Sequence, residues 1–352
     1  DVNERHPMNR LERIAYDLSQ SARFAWFRGH YALAQRKIEA TGEVKPVQGP
    51  LPTREALTRD LFELFRRDRA NIDAGRYQLP HDMVVSPLQA ARMSRRFLDD
   101  IDQVNRRRNE HSHQEVFQSR EQLERAYPRY YLQNFHFQTD GWLSEHSAAL
   151  YDFQVEVLFS GGADAMRRQA LPAIGEFLED KRVADQPLLD VASGTGRFLT
   201  FVKQTFPRLP VTALDLSRPY LERARANLAA WSWASFVEAP AEALPFPERT
   251  FALVSSVYLF HELPRKVRRQ AVREMARVLR PGGRLVLVDS FQSGDRPEFE
   301  GLLELFPRAY HEPYFADYAR LPLEELVEAA GLRHVQSEMA FMSKVVVADK
   351  PG

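Results

Sequence analysis

The sequence predicts an α/β protein, a doubly wound seven-stranded sheet in the second half of the chain preceded by a mostly helical N-terminal domain. Three observations carry this. After Gln186 short β-rich runs alternate with helical ones, a glycine turn follows the first of those runs directly, and the apolar residues of the first 160 positions recur at helical steps. Strand and helix alternation of this kind builds a parallel sheet, because parallel neighbours need a crossover long enough to hold a helix.

The helical part is read first. From Leu11 to about Ala40, Leu11, Ile14, Ala15, Leu18, Ala22, Ala25 and Trp26 follow three- and four-residue steps, the stripe of an amphipathic helix. Gly42 to Pro52 carries two glycines and three prolines and reads as a loop, after which Thr53 opens a second helix through LTRDLFELFRRDRANI. A third runs from Pro87 to about Arg107, with Arg106, Arg107 and Arg108 expected as its solvated end. Residues 127–142 crowd together Tyr127, Tyr130, Tyr131, Phe135, Phe137 and Trp142, and Ser147–Phe159 and Ala165–Leu178 are helical again. The strands are then PLLDVA, PVTALDL, ASFVEA, FALVSSV, RLVLVDS, RHVQSEMA and SKVVVADK.

Composition narrows the function classes. The 352 residues favour two domains, divided here as 1–160 and 161–352. There is no cysteine, which excludes a disulfide framework, thiolate-held metal and a cysteine nucleophile, and suits a reducing, cytoplasmic setting. With 48 basic against 48 acidic side chains, no basic arm for nucleic acid is expected. No stretch reaches the ~18 apolar residues of a membrane span, and the N-terminal DVNERHPMNRLER lacks the apolar region of a secretory leader, with Met8 as a candidate start.

The chemistry concentrates after residue 187. Leu188 to Gly196 (LLDVASGTG) runs from an apolar strand into a glycine turn and then a helix, an arrangement that brings backbone N–H groups close to a ligand. The G-x-G-x-x-G dinucleotide fingerprint is absent, since Gly196 is followed by Arg197-Phe198-Leu199. Asp215 ends the next strand, where a carboxylate can accept both hydroxyl protons of a ribose. Ala239–Pro247 (APAEALPFP) precedes the fourth strand, Leu259–Pro264 (LFHELP) follows it, and Glu274–Leu285 (EMARVLRPGGRL) is a helix stopped by Pro-Gly-Gly before the fifth.

In this order, these pieces resemble the class I S-adenosylmethionine-dependent methyltransferases, and within them the ubiquinone/menaquinone-type small-molecule enzymes, over about residues 165–352. The resemblance implies a Rossmann-like sheet, S-adenosyl-L-methionine as cofactor and methyl transfer to a small-molecule acceptor. It also implies a cofactor site from Asp190, Ala192, Ser193, Gly194 and Gly196, with Asp215 at the ribose and Ser256 and Val257 on the inner wall. The family often has an aspartate where Pro240 stands, so Leu216 and the backbone at Ala241 are expected to hold the adenine instead. Two other readings stay open, a cofactor-consuming enzyme that moves no methyl group, and a non-catalytic binding protein.

His261 lies on the ligand side of the sheet and is the candidate general base. The aromatic segment 127–142 is expected either to roof the site or to form interdomain core. His311-Glu312-Pro313-Tyr314 falls in the insertion after the fifth strand, where such enzymes often build a lid. With no i, i+4 histidine pair on an expected helix, no metal site is expected even with His111 and His113 counted in.

Overall fold

The protein is described here by a computed structural model covering residues 8–36, 47–83, 85–113, 116 and 127–352. The expected helical residues 37–40 and loop residues 42–46 lie outside that range. Seven strands form one sheet: β1 (Leu188–Val191), β2 (Val211–Asp215), β3 (Ala234–Glu238), β4 (Phe251–Val257), β5 (Leu279–Ser290), β6 (Arg333–Ala340) and β7 (Ser343–Asp349). Their order is β3-β2-β1-β4-β5-β7-β6. Every strand-like run of the sequence is a strand. The sheet is parallel through β5, but β7 pairs antiparallel with both β5 and β6. A two-residue connection from Ala340 to Ser343 allows no crossover, so β6 and β7 form a hairpin.

The helices are α1 (Arg10–Arg36), α2 (Arg54–Asp73), α3 (Pro87–Asn109), α4 (Glu145–Leu158), α5 (Ala163–Arg168), α6 (Leu171–Leu178), α7 (Arg197–Thr205), α8 (Arg218–Asn227), α9 (Arg265–Val278), α10 (Glu300–Ala309), α11 (Phe315–Tyr318) and α12 (Leu323–Ala329). Thr53 caps α2 by accepting from the Ala56 N–H at 3.1 Å, and Ser217 caps α8 by accepting from Tyr220. The single helix expected over Ala165–Leu178 is two, since Pro172 has no N–H to continue α5 and instead opens α6.

In α1 the periodicity gives the helix but not its inner face. Leu11 is 77% exposed and Leu18 66%, whereas Tyr16, Gln20, Phe27, His30 and Ala34 are buried. Polar groups decide this face because each finds a partner inside. The Tyr16 hydroxyl donates to Asp68 at 2.5 Å, and the two ring nitrogens of His30 meet Trp26 O and Ser94 Oγ. Asp68 also receives Arg168 at 2.6 and 3.0 Å and Tyr77 at 2.7 Å, tying α1 and α2 to α5. The end of α3 departs from expectation in the same way. Arg106 faces solvent, but Arg107 is buried and donates from Nε to Phe137 O at 2.9 Å.

One continuous core joins the helical part to the sheet, running from Tyr16, Leu61, Leu64 and Phe65 through Met166, Ile174, Leu199 and Phe201 to Leu188, Val211 and Val286. At the carboxyl ends of β4 and β5, where open α/β sheets bind ligands, Phe24 of α1, Leu57 of α2 and Val155 of α4 share a cavity with Tyr258 and Ser290.

Candidate active site

Two cavities meet above the sheet. The first opens at the ends of β1, β2 and β4 and is lined by Ala192, Gly194, Asp215, Leu216, Ala241 and Val257. The backbone explains the glycine turn. Gly194 has φ +55, and a Cβ there would meet only Tyr220 Cδ1 at 4.0 Å, so this face of the turn is open. Ala192 holds φ +59, a left-handed conformation that costs an L-residue about 1 kcal/mol and that glycine adopts freely. Asp215 Oδ2 accepts from Gly194 N at 2.8 Å and Oδ1 from Ser217 N at 2.7 Å. Burial pushes its pKa up to about 6 against the pull of those N–H groups.

The remaining sequence-expected residues stand behind this wall. Asp190 is buried in β1 and accepts from Ser255 Oγ at 2.7 Å, joining β1 to β4, and burial lifts its pKa to about 7. Ser256 Oγ is likewise turned to Val191 O at 2.8 Å. Gly196, at φ +73, has Ala224 Cβ 3.0 Å from the place of its own missing Cβ, so it lets α7 pack closely on α8. Ser193 Oγ is buried without a hydrogen-bond partner. The turn itself is braced from the helical part, where Asp152 of α4 accepts from Thr195 Oγ1 at 2.8 and 3.0 Å.

The aromatic segment divides between the first cavity and the core. Tyr130, Tyr131 and Trp142 line the first cavity, while Phe135 and Phe137 are buried and Phe135 stacks on Trp142 at 4.3 Å between centroids. The Tyr130 hydroxyl donates to Glu242 at 2.8 Å, latching the segment to the loop before β4. With the latch closed the cavity holds about 100 Å³, well below the ~300 to 1,000 Å³ of a typical small-molecule pocket.

The second cavity, of about 430 Å³, lies between α1, α2, α4 and α10. Its wall is mostly apolar, with Phe24, Leu57, Leu158, Leu302, Phe306 and Met342 among its residues. Tyr151, Tyr258 and Glu262 line both cavities and mark their junction.

At that junction sits a polar cluster. His261 is in the one-turn helix Phe260–Glu262 after β4, and its Nδ1 lies 2.6 Å from Asp289 Oδ1 at the end of β5. Asp289 is fully buried and also accepts from Phe260 N at 2.7 Å and Ser290 N at 2.8 Å. The other ring nitrogen of His261 is 3.6 Å from Glu262, and His136 Nε2 lies 3.5 Å from Glu262 and 3.0 Å from Glu312. Burial disfavours charge on both rings, but the facing carboxylates win. His136 rises to about 9, and His261 stands well above the ordinary imidazole value. The candidate base expected from sequence, with Glu262 beside it in LFHELP, therefore comes with two partners that the sequence did not single out, namely His136 and Asp289. Their signal was faint, since His136 stands in the aromatic segment and Asp289 in a strand-like run far along the chain.

Residues 188–283 match the methyltransferase-domain family. Over 146 residues the chain is 35% identical to a ubiquinone/menaquinone biosynthesis C-methyltransferase of Geobacter sulfurreducens, an alignment covering 40% of this chain and 54% of that protein. It is 31% identical to a demethylmenaquinone methyltransferase of Thermotoga maritima over 42% of this chain and 59% of that one. A fatty-acid O-methyltransferase of Mycolicibacterium smegmatis is 32% identical over 40% and 50%. The chain thus spans about half the length of these curated relatives.

Proposed function

We propose that the chain, whose residues 188–283 match the methyltransferase-domain family and which is similar to the ubiquinone/menaquinone C-methyltransferases, transfers a methyl group from S-adenosylmethionine to a small, largely apolar acceptor carrying an ionisable proton. The observation that carries this is the apolar cavity of about 430 Å³ meeting the Asp215 cavity at Tyr151, Tyr258 and Glu262. An enzyme acting only on its cofactor needs no second chamber of that size.

The residues of the first cavity suit the cofactor. Asp215 offers carboxylate lone pairs to ribose hydroxyls, and Gly194 leaves the turn open. Leu216 and Ala241 supply an apolar slot for the adenine, and the faces of Tyr131, Trp142 and Tyr151 suit a cation near the junction, a contact typically worth ~0.5 to 2 kcal/mol. When bound, the cofactor supplies a methyl carbon whose bond to sulfur breaks, the electron pair going to sulfur, as an acceptor lone pair bonds to it.

The chain's own part is to hold the acceptor in line and keep water out, with His261 at the acceptor's ionisable group and Asp289 holding its ring in place. The departing acceptor proton passes to a carboxylate of the cluster, Glu262, which lines both cavities. Residues 1–160 act as the acceptor-binding half, with segment 127–142 lifting for cofactor entry. Tyr130 and Glu242 part in that step. A cysteine-free chain in which no described helix is long and apolar enough to cross a membrane fits a cytoplasmic enzyme.

Mass spectrometry of the cofactor products, with a panel of apolar acids and phenols as acceptors, tests the reading. S-adenosylhomocysteine formed mole for mole with a methylated acceptor is the expected result. Methylthioadenosine, or no consumption with any acceptor, would overturn it.

A further inference from the structure

His136, His261, Glu262 and Glu312 place four candidate ligand atoms within 4.8 Å of one another. They come from three separate segments: the turn Phe135–Phe137, the turn after β4, and the loop after α10. The closest separations are 3.0, 3.5 and 3.6 Å. Nitrogen and oxygen ligands ~2.0 to 2.2 Å from one ion stand roughly 3 to 4 Å apart, so a single small cation fits among these atoms with little movement.

Two further observations point the same way. Glu312 is 3% exposed, and neither carboxylate oxygen has a hydrogen-bond partner, although Oε1 lies 3.0 Å from His136 Nε2. His136, facing Glu312 at 3.0 Å, offsets part of the cost of burying this carboxylate when protonated, and a cation among the ligand atoms would offset it for Glu262 as well. Asp289, in turn, holds Nδ1 of His261 and leaves Nε2 to the cluster. A carboxylate behind a histidine in this way fixes the ring and raises the basicity of the free nitrogen, the usual support of a metal-bound imidazole.

We propose that His136, His261, Glu262 and Glu312 bind a divalent first-row transition cation, of the Zn²⁺, Fe²⁺ or Mn²⁺ class, with a coordination position open to the apolar cavity. Two imidazoles and two carboxylates without sulfur suit these ions, whereas Mg²⁺ and Ca²⁺ favour all-oxygen sites. The opening follows from the lining, since His136, His261 and Glu262 all face the cavity. Cation binding can be measured without methyl transfer, but with the ion bound His261 Nε2 is a ligand, so the ion and not the ring would meet the acceptor's ionisable group. If the proposed function holds as well, an acceptor oxygen entering that position would lose its proton more readily and react as the anion.

The test needs neither cofactor nor acceptor. The full chain is stripped with a chelator and titrated by calorimetry with Zn²⁺ and, separately, Mn²⁺, and Co²⁺ is followed by its visible absorption. About one ion per chain is expected. Glu312→Gln and His136→Asn should each weaken binding at least roughly tenfold, and Asp289→Asn by roughly 10- to 100-fold through the orientation of His261. His111→Asn, on the exposed turn after α3, should change nothing. The wild-type titration decides the matter even if a variant misfolds, which near-UV circular dichroism would reveal. No saturable binding of Zn²⁺, Mn²⁺ or Co²⁺ to the wild type overturns the site, as does binding that folded Glu312→Gln and His136→Asn leave unchanged.

Discussion

The two cavities that meet at Tyr151, Tyr258 and Glu262 are built in opposite ways. The floor of the Asp215 cavity comes from one stretch of chain, Ala192 to Leu263, in which each strand end delivers its residues within a short turn. The apolar cavity takes its wall from α1, α2, α4, α10 and the β6–β7 turn, elements far apart in sequence. One is a property of local backbone geometry, the other of how helices pack over a sheet. If that difference is functional, changes on one side should leave the other side's binding intact.

The largest such effect is expected on the acceptor side. Asp289→Asn weakens the hold on His261 Nδ1 while keeping the side-chain volume, and turnover should fall by roughly 10²- to 10⁴-fold, the range of a lost proton-handling group. Cofactor affinity should stay within about twofold, because Asp289 does not line that cavity. Equal losses of turnover and cofactor affinity would mean that the two sides are not separable.

Asp215→Ala is the converse. A hydrogen bond to a charged group contributes about 1.5 to 3 kcal/mol, so cofactor affinity should drop roughly tenfold or more with acceptor KM little changed. The raised pKa adds a pH signature. The ionised carboxylate is the form that accepts from ribose hydroxyls. Affinity should therefore be full above about pH 6 and fall as pH drops through that value, by up to about tenfold per unit. Calorimetry across that range should find the slope in the wild type and lose it in Asp215→Asn; a flat wild-type profile contradicts the assignment.

A smaller effect is expected from Tyr130→Phe, which removes the latch to Glu242 without altering the aromatic face. For a half-buried bond of this kind about 1 kcal/mol is at stake, so the cofactor should leave roughly fivefold faster in stopped-flow measurements. An unchanged off-rate would detach the segment 127–142 from cofactor release.

The contrast also explains what could be read beforehand. All seven strands, the glycine turn and Asp215 were legible, because a strand of alternating or continuous apolar residues followed by glycine or a cap is a local signal. The inner face of α1 was not, since Leu11 and Leu18 point outward while Tyr16 and His30 turn inward to partners that only the fold supplies. Arg107 belongs with them, because a basic run at a helix end gives no hint that Phe137 O will meet one of its guanidinium groups. His261 was visible beside β4. Asp289 and His136 were not, and Glu312 was read only as part of a lid insertion, because β5, the aromatic segment and the loop after α10 come together only in three dimensions.

The claim at the centre of this account is that the apolar cavity holds the acceptor while the Asp215 cavity holds the cofactor. It is tested most directly by kcat/KM for a series of acceptors with lengthening apolar tails, at saturating S-adenosylmethionine, in the wild type and in Leu302→Trp. Each added methylene that enters the cavity should be worth about 0.8 kcal/mol, roughly a fourfold gain, until the chamber is full. Leu302→Trp fills part of that chamber and should end the gain at a shorter tail, with cofactor affinity unchanged. A kcat/KM that ignores tail length, or a tryptophan that costs cofactor affinity instead, would contradict it.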